Sequence, residues 1–158
     1  MTVADGGFEF RGLAGNLTGM PFSPGDLAPG IAERLVRERY AWLTTVDGSG
    51  TPVPTLVWFR FDGTSLTVYS QPHSDRVTQV FEHPQVSLHL ESDRLGSGLV
   101  IVGGRAAVTA EGVDPRDDRE YWAKYHVEAE VSGLSEAIAS FTTRITIAPT
   151  IIQTTVPT

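Results

Sequence analysis

Residues 51–90 read TPVPTLVWFRFDGTSLTVYSQPHSDRVTQVFEHPQVSLHL, which predicts a strand, a tight turn, a second strand, a short helix and a third strand. Between residues 53 and 61 the side chains alternate between two largely apolar faces, as in a strand buried on both sides. Asp62-Gly63 is the usual signal of a two-residue hairpin, since both central residues of that turn need positive φ. Alternation resumes over residues 66–69 and 86–90, which completes the three strands.

The helix predicted between the last two strands begins with an anion-binding pattern. Ser74 is a favourable N-cap, and Val77 and Val80 begin an apolar stripe at helical spacing. Unpaired backbone N–H groups and the helix dipole favour an anion at such an N-terminus, and Arg76 adds a full positive charge. A capped surface helix with a solvated arginine is the simpler interpretation, and this segment alone does not exclude it.

The remaining chain adds strands and short helices around this segment. Alternation predicts strands over residues 40–46, 99–109 and 144–155. Tight turns between successive strands favour antiparallel pairing, and a small chain with six or seven strands hides its edges by closing into a barrel. The predicted fold class is mainly β with short helices, built on a six- to seven-stranded antiparallel barrel.

Two further segments flank the strands. Residues 1–25 are Gly-rich without a period, and we interpret them as an N-terminal arm, mobile or laid over the body, with the barrel domain in residues 26–158. Asp114 and Pro115 begin the clearest helix, as its cap and its first helical residue. An aromatic cluster on this helix, which we interpret as packing or as a subunit interface, consists of Tyr121, Trp122 and Tyr125.

Composition narrows the class of protein. The chain has 158 residues, which predicts one domain, and a net charge of −7, which argues against nucleic acid or an anionic membrane as a partner. It has no cysteine, so disulfides, thiolate catalysis and cysteine–zinc sites are excluded. No apolar run approaches a membrane span, and the first residues lack the pattern of a signal peptide, so we expect a cytoplasmic protein.

No hydrolase motif appears in the sequence. There is no G-x-S-x-G and no H-E-x-x-H pattern. The four histidines show no standard metal spacing, so we predict no metal site. Haem binding with His73 or His89 as the axial ligand is the alternative role for a histidine in a split barrel. The lack of a residue-based catalytic set is consistent with an enzyme whose cofactor carries the chemistry.

Three pieces of the central segment together resemble one family. YSQPHSDRV at residues 69–77 resembles the phosphate-binding corner of the pyridoxamine-phosphate-oxidase-like split β-barrels. PTLVWFRFDG at residues 54–63 is similar to their cofactor-flanking hairpin, and FEHPQVSLHL at residues 81–90 resembles the helix end and strand that follow. Over residues 27–149 the chain resembles most closely the F420-dependent branch. The resemblance implies a split barrel, an oxidoreductase, a small-molecule substrate and a homodimer with cofactor sites at the subunit interface.

The resemblance also implies a cofactor site. In it, the strand residues lie along a flat tricyclic ring, the residues after the second strand bond near the ring or its side chain, and the helix start holds the phosphate. The implied residues are Thr55, Leu56, Val57, Trp58, Ser70, Gln71, Pro72, Ser74 and Arg76. No catalytic residue is assigned, and a proton could come from water or from one of Tyr40, Tyr69, Tyr121 and Tyr125.

One departure from the family pattern bears on the cofactor. FMN-binding members usually place two adjacent cations after the serine, where this chain has Asp75 and Arg76. A carboxylate repels a phosphomonoester of charge about −2 by roughly 1 kcal/mol or more, and a phosphodiester carries only one charge. The departure favours coenzyme F420, a 5-deazaflavin with a phosphodiester, over FMN, unless Asp75 points away and complements the helix dipole.

Three functions remain open from the sequence. The first is an F420-dependent reductase that transfers hydride to a small or planar unsaturated molecule. The second is an FMN-binding flavoprotein that uses the same groove. The third is a non-catalytic carrier of F420, haem or another planar ligand, which has the same sequence features.

Overall fold

The computed structural model describes residues 2–4, 7–12, 15–93 and 97–156. The strands are β1 (Thr2–Ala4), β2 (Gly7–Gly12), β3 (Gly15–Pro21), β4 (Ala41–Val46), β5 (Pro52–Val57), β6 (Arg60–Phe61), β7 (Leu66–Ser70), β8 (Gln85–His89), β9 (Val100–Ala110) and β10 (Thr143–Val156). The α-helices are α1 (Pro29–Arg37), α2 (Asp75–Glu82) and α3 (Arg119–Val131), and 3-10 helices cover Pro115–Asp117 and Ala137–Ser140.

The strands form one antiparallel sheet that curls into a barrel. Its main order is β1-β2-β3-β10-β9-β8-β4-β5, and β7 pairs with both β6 and the first part of β10. Trp58 and Phe59 connect β5, at one end of this order, directly to β6, which leads through β7 back to β10 and so closes the barrel. The mainly β, antiparallel split-barrel class is therefore confirmed.

The described part of the chain has more strands than the six or seven predicted. Three of them lie in the segment interpreted as an arm, where β3 pairs with β10 from Asn16↔Val156 to Pro21↔Ile151. The long strand predicted over residues 53–61 is also divided in two at Trp58-Phe59. Whether residue 25 is a domain boundary stays a prediction.

The barrel interior is the hydrophobic core. On β4, Ala41, Leu43 and Thr45 are buried and alternate with partly exposed residues, which is the period-2 pattern of a half-buried strand. All of β7 is buried, because its outer face meets α3. Burying a large apolar side chain contributes about 1.5–3 kcal/mol. The largest fully buried apolar side chains of the barrel are Leu35, Leu43, Phe59, Leu66, Leu88, Leu90, Ile145 and Ile147.

The turn after β6 is longer than predicted. Phe61 pairs with Leu66, so the loop has four residues instead of two. The Asp62 carboxylate accepts hydrogen bonds from the backbone N–H groups of Thr64 and Ser65 at 2.9 and 2.8 Å, and Gly63 supplies the positive φ of 96°. The Asp-Gly signal placed the turn correctly, but side-chain bonds select the longer loop.

The helix predicted from Asp114 begins later than expected. Asp114 caps only the 3-10 helix Pro115–Asp117, by accepting a bond from the Arg116 N–H at 2.9 Å. The α-helix α3 starts after Asp118, whose carboxylate accepts from the Tyr121 N–H at 3.2 Å. Within the residues described, no helix is long and apolar enough to cross a membrane.

Candidate functional site

Two strands and a helix bring a cluster of polar residues together around Arg76. The arginine lies in the first turn of α2, and its Nη1 donates to Ser70 Oγ at the end of β7, at 2.8 Å. Its Nη2 donates to Thr55 Oγ1 on β5, at 2.9 Å. These two hydroxyls fix the direction of the guanidinium, although the residues are up to 21 positions apart in sequence.

Two donor atoms in this cluster are buried without a partner. Arg76 Nε and Ser74 Oγ are the only buried side-chain N or O atoms of the described chain that lack a hydrogen bond. Leaving a buried polar group unsatisfied costs about 1–3 kcal/mol. Ser74 precedes α2 at the N-cap position but makes no side-chain cap bond. Both atoms are therefore available to an acceptor from outside the chain, such as a phosphate oxygen.

The charge on Arg76 is also uncompensated. Among the residues the structure describes, no carboxylate forms an ion pair with it. Burial lowers the pKa of its guanidinium, because desolvation disfavours the charged form. Arginine keeps its proton in proteins nonetheless. A partly buried cation with free donor capacity is the electrostatic basis of an anion site.

An apolar cavity of about 210 Å³ opens beside the arginine. Among the described residues that line it, Arg76 is the only charged one, so most of a bound molecule would meet hydrocarbon and aromatic surface. The residues around it are Leu56, Val57, Trp58, Tyr69, Arg76, Tyr121, Leu134, Ile138 and Phe141. This combination suits a flat, mostly apolar group that carries one anionic substituent.

The far side of the cavity comes from α3 and the segment after it. Trp58 stacks on Tyr125 with ring centroids 4.7 Å apart and planes 2° from parallel. Tyr121 packs at 5.0 Å from Tyr125 and edge-on at 4.8 Å from Tyr69. Tyr121 and Tyr125 thus pack the helix onto the barrel, and Tyr121 lines the cavity as well, whereas Trp122 lies 6.4 Å from His126 on the same helix. The subunit interface, the alternative interpretation of this cluster, stays a prediction.

A family model described as pyridoxamine 5'-phosphate oxidase matches residues 27–153. The chain belongs to this family. The match covers the barrel strands β4 to β9 together with most of β10, and it includes every residue of the Arg76 cluster. No curated protein matches the chain.

Solved structures with the same fold include proteins with differing descriptions. An F420 reductase superimposes with a TM-score of 0.57 at 20% identity, covering 79% of this chain and 98% of that one. General stress protein 26 from Bacillus anthracis superimposes with a TM-score of 0.59 at 19% identity, covering 79% and 92%. HupZ of Group A Streptococcus gives 0.53 at 14%, covering 78% and 90%. At these identities the likeness concerns the fold of the pyridoxamine 5'-phosphate oxidase family alone.

The residues predicted for the cofactor site fall into three groups. Leu56, Val57, Trp58 and Arg76 line the cavity, while Thr55 and Ser70 hold the guanidinium and Ser74 lies beside it. Gln71 and Pro72 are exposed, and the Gln71 amide donates to Ser140 Oγ at 3.2 Å. The structure therefore brings the strand and helix residues together but leaves Gln71 and Pro72 outside the cavity.

Sequence reasoning missed the opposite wall. Leu134, Ile138 and Phe141 line the cavity although none was assigned to it. Tyr69 and Tyr121 line it too, and they were considered as proton donors and, for Tyr121, as packing or interface, but not as cavity walls. The sequence spacing of Leu134, Ile138 and Phe141 is typical of a short apolar helix face, and the structure has the 3-10 helix Ala137–Ser140 in this segment. Nothing in that spacing indicates which strand the helix faces.

The interruption between β5 and β6 is held by α3. The Tyr125 hydroxyl accepts from the Phe59 N–H at 2.8 Å and lies 2.8 Å from the carbonyl oxygens of Phe59 and Arg39. Lys124 Nζ donates to the Phe59 carbonyl at 2.8 Å and lies 4.0 Å from the centre of the Phe59 ring. Burial, with a smaller effect of Arg39, lowers the pKa of Lys124 to about 8. These bonds satisfy backbone groups that have no hydrogen-bond partner in a neighbouring strand. They also fix the position of Trp58 at the cavity wall.

Arg60 is not free to bind an anion. Its guanidinium donates to Asp118 Oδ2 at 2.9 and 3.1 Å, and the Tyr69 hydroxyl donates to the same oxygen at 2.8 Å. Burial, followed by the bond to Asp118, raises the pKa of Tyr69 to about 12. In the ranges described, no group of three His, Cys, Asp or Glu residues is placed to hold a metal ion.

Proposed function

We propose that this member of the pyridoxamine 5'-phosphate oxidase family is an F420-dependent oxidoreductase that reduces a small, planar, unsaturated molecule. The observation that carries the proposal is the unpaired Arg76 cation, with the free donors Arg76 Nε and Ser74 Oγ, at the edge of an apolar cavity. The phosphate of the cofactor would accept hydrogen bonds from both donors and balance the charge of Arg76. The ring of the cofactor would lie against Leu56, Val57 and Trp58.

The charge count favours a monoanion. Arg76 is the single cation among the described residues that line the cavity, so a phosphodiester matches its charge, whereas a phosphomonoester of charge about −2 leaves one negative charge uncompensated. An unpaired charge out of water is strongly unfavourable. Asp75, which first suggested this choice, is exposed and contributes little. The preference for F420 therefore rests on the single cation and less on Asp75.

The protein's own contribution to the reaction is binding, orientation and exclusion of water. A bound reduced deazaflavin supplies a hydride. Arg76, held by Ser70 and Thr55, anchors the anionic end, and the apolar wall keeps water from the ring. Leu134 and Phe141 close the cavity from the side of α3 and leave a mostly apolar space for the acceptor.

A second copy of the chain is proposed to complete the site. Cavities that hold a small-molecule ligand usually measure about 300–1,000 Å³, and the cavity of one chain measures about 210 Å³. Leu56 and Leu134 at its edge are 51% and 43% exposed, and Val131 nearby is 84% exposed. An isologous homodimer would cover these apolar side chains and enlarge the site. Sedimentation that gives a monomer at micromolar concentration contradicts this part of the proposal.

A fluorescence titration with oxidised F420 tests the cofactor. We expect saturable binding at micromolar F420 and weaker binding of FMN in a parallel titration. Oxidation of reduced F420, followed by absorbance in the presence of quinones and other conjugated carbonyl compounds, tests the reaction. Absence of saturable F420 binding would overturn the proposal.

Binding of FMN in the same cavity is the second candidate function. The family match and the exposed position of Asp75 both support it, because an exposed carboxylate repels a dianion only weakly. A protein that is yellow as purified and releases FMN on denaturation would favour this alternative. Tight binding of reduced F420 without turnover across the acceptors would instead indicate a carrier.

A further inference from the structure

The four tyrosines considered as proton donors differ in what their hydroxyls bind. The Tyr125 hydroxyl bonds to the backbone of Phe59 and Arg39, and the Tyr69 hydroxyl donates to Asp118 at 2.8 Å. Tyr40 is 44% exposed and does not line the cavity that opens beside Arg76. Two of these hydroxyls are thus engaged within the fold, and a third faces solvent.

Tyr121 differs from all three. Its side chain is only 2% exposed and lines the cavity, yet its hydroxyl makes no hydrogen bond to any residue that the structure describes. The hydroxyl is not one of the fully enclosed side-chain atoms without a partner, which are Arg76 Nε and Ser74 Oγ, so it keeps a small accessible surface in a residue that lines the cavity. A hydroxyl that no described residue binds is a hydrogen-bond donor available to a molecule in the cavity.

The position of this hydroxyl is well defined. The Tyr121 backbone N–H is capped by Asp118, and its ring packs between Tyr69 and Tyr125 with centroids 4.8 and 5.0 Å away. Burial, followed by the neighbouring Tyr125, raises the pKa of Tyr121, so the hydroxyl stays neutral at physiological pH. A neutral phenol held rigidly in an apolar cavity can donate one directed hydrogen bond.

We infer that the Tyr121 hydroxyl donates a hydrogen bond to a carbonyl oxygen of a planar ring bound in the cavity. Arg76 takes the anionic substituent at one position, and the remaining walls are apolar apart from Tyr69, whose proton is directed to Asp118. Once the anionic substituent is bound by Arg76, the polar group of a neutral conjugated ring that still needs a hydrogen-bond donor is its carbonyl. This inference deepens the proposed function, on which it rests, because the carbonyl belongs either to the cofactor ring or to the acceptor that stacks on it.

Tyr121→Phe separates these two sources, because it removes the hydroxyl and keeps the ring. Oxidised F420 is titrated first, and then menadione, a planar quinone, is titrated into protein saturated with oxidised F420. We expect the affinity for one of the two to fall about two- to twelvefold, as for a single hydrogen bond. A loss at the first step assigns the carbonyl to the cofactor, and a loss at the second step alone assigns it to the acceptor.

The matched control is Tyr125→Phe, whose hydroxyl bonds within the fold. In the ligand-free protein, Tyr125→Phe should lower the melting temperature, whereas Tyr121→Phe should leave it unchanged or raise it. Equal destabilisation by both variants would show an internal partner for Tyr121 and overturn the inference, as would unchanged affinity for both ligands. If the parent binds neither F420 nor FMN, the proposed function fails, and menadione binding to the cofactor-free parent and Tyr121→Phe proteins still decides for or against the inference.

Discussion

Arg60 and Arg76 are both partly buried, but of the two only Arg60 forms an ion pair with a carboxylate of the described chain. Arg60 binds Asp118 at 2.9 Å with Glu120 at 3.5 Å, whereas Arg76 binds two uncharged hydroxyls and keeps one free donor. A charge removed from water needs a compensating charge. The chain provides one for Arg60, whereas the described residues provide none for Arg76; under the proposed function, a ligand supplies the counterion of Arg76.

Removing Asp118, the main carboxylate partner of Arg60, should have the largest effect on stability of the substitutions that test this comparison. In Asp118→Ala, Arg60 keeps only the longer contacts to Glu120 at 3.5 Å and Asp62 at 4.0 Å, and α3 loses its cap. Since the paired side chains are only 18% and 14% exposed, we expect the free energy of unfolding to fall by about 3–5 kcal/mol. Urea denaturation followed by circular dichroism measures it.

Asp118→Asn is the control for the charge. Asparagine still accepts the bond from the Tyr121 N–H, so any loss that remains reports mainly on Arg60. A loss below about 1 kcal/mol in Asp118→Ala would mean that the pair behaves as an exposed one and that Glu120 replaces Asp118.

Arg76→Ala should affect binding and leave folding intact. It removes a charge-assisted bond to the cofactor phosphate, worth roughly 1.5–3 kcal/mol, which corresponds to about 10- to 150-fold in affinity. The melting temperature of the ligand-free protein should change little, because the removal of a buried cation without a counterion offsets the bonds that the Ser70 and Thr55 hydroxyls lose. Fluorescence titration with F420 and a melting curve give the two quantities.

Arg60→Ala is the matched variant for Arg76→Ala, with the opposite expected outcome. It should lower the melting temperature, since Asp118 and the Tyr69 hydroxyl lose their partner, and change F420 affinity far less. Arg76→Lys should retain part of the affinity but lose the two-pronged geometry of the guanidinium. If Arg76→Ala binds F420 as the parent does, the phosphate lies elsewhere and the proposed site is wrong.

The contrast between the arginines also separates what sequence could and could not predict. The Arg76 cluster lies within residues 55–76, so alternation, the Ser74 N-cap position and the first-turn arginine were readable locally. The Arg60–Asp118 pair spans 58 residues, and no period in the sequence encodes such a contact. The opposite wall of the cavity was missed for the same reason, because helical spacing predicts an apolar face without its partner.

Lys124 is a third partly buried cation, and its burial affects its pKa. It binds the uncharged Phe59 carbonyl, and its pKa is lowered by burial to about 8 from 10.5. The unfolded state therefore binds more protons between about pH 8 and 10.5, so this residue makes stability rise with pH across that window. The full shift corresponds to roughly 3 kcal/mol, and solvent screening reduces the expected change to about 1 kcal/mol.

Comparing the parent with Lys124→Met by urea denaturation at pH 7.5, 9 and 10 measures this dependence. The stability of the parent relative to the variant should increase with pH, since only the parent carries the group that titrates. A difference that is constant across the series would mean that Lys124 is well solvated and that its charge is not destabilising.

Asp75→Arg should have the smallest effect, and it tests whether charges near Arg76 act through contact or at a distance. Asp75 is exposed, so its replacement changes the field at the phosphate without a direct bond. Exposed charge pairs contribute about 0.2–1 kcal/mol, which predicts a gain of about 1.4- to 5-fold in FMN affinity and a smaller gain for F420. Because exposed charges are screened by salt, the gain should disappear at about 1 M salt, where the Debye length is about 3 Å. Parallel titrations of FMN and F420 at low and high salt measure both effects. A salt-resistant gain of a hundredfold for FMN would mean that the new arginine contacts the phosphate directly. It would also mean that the missing second cation alone accounts for weak FMN binding by the parent protein.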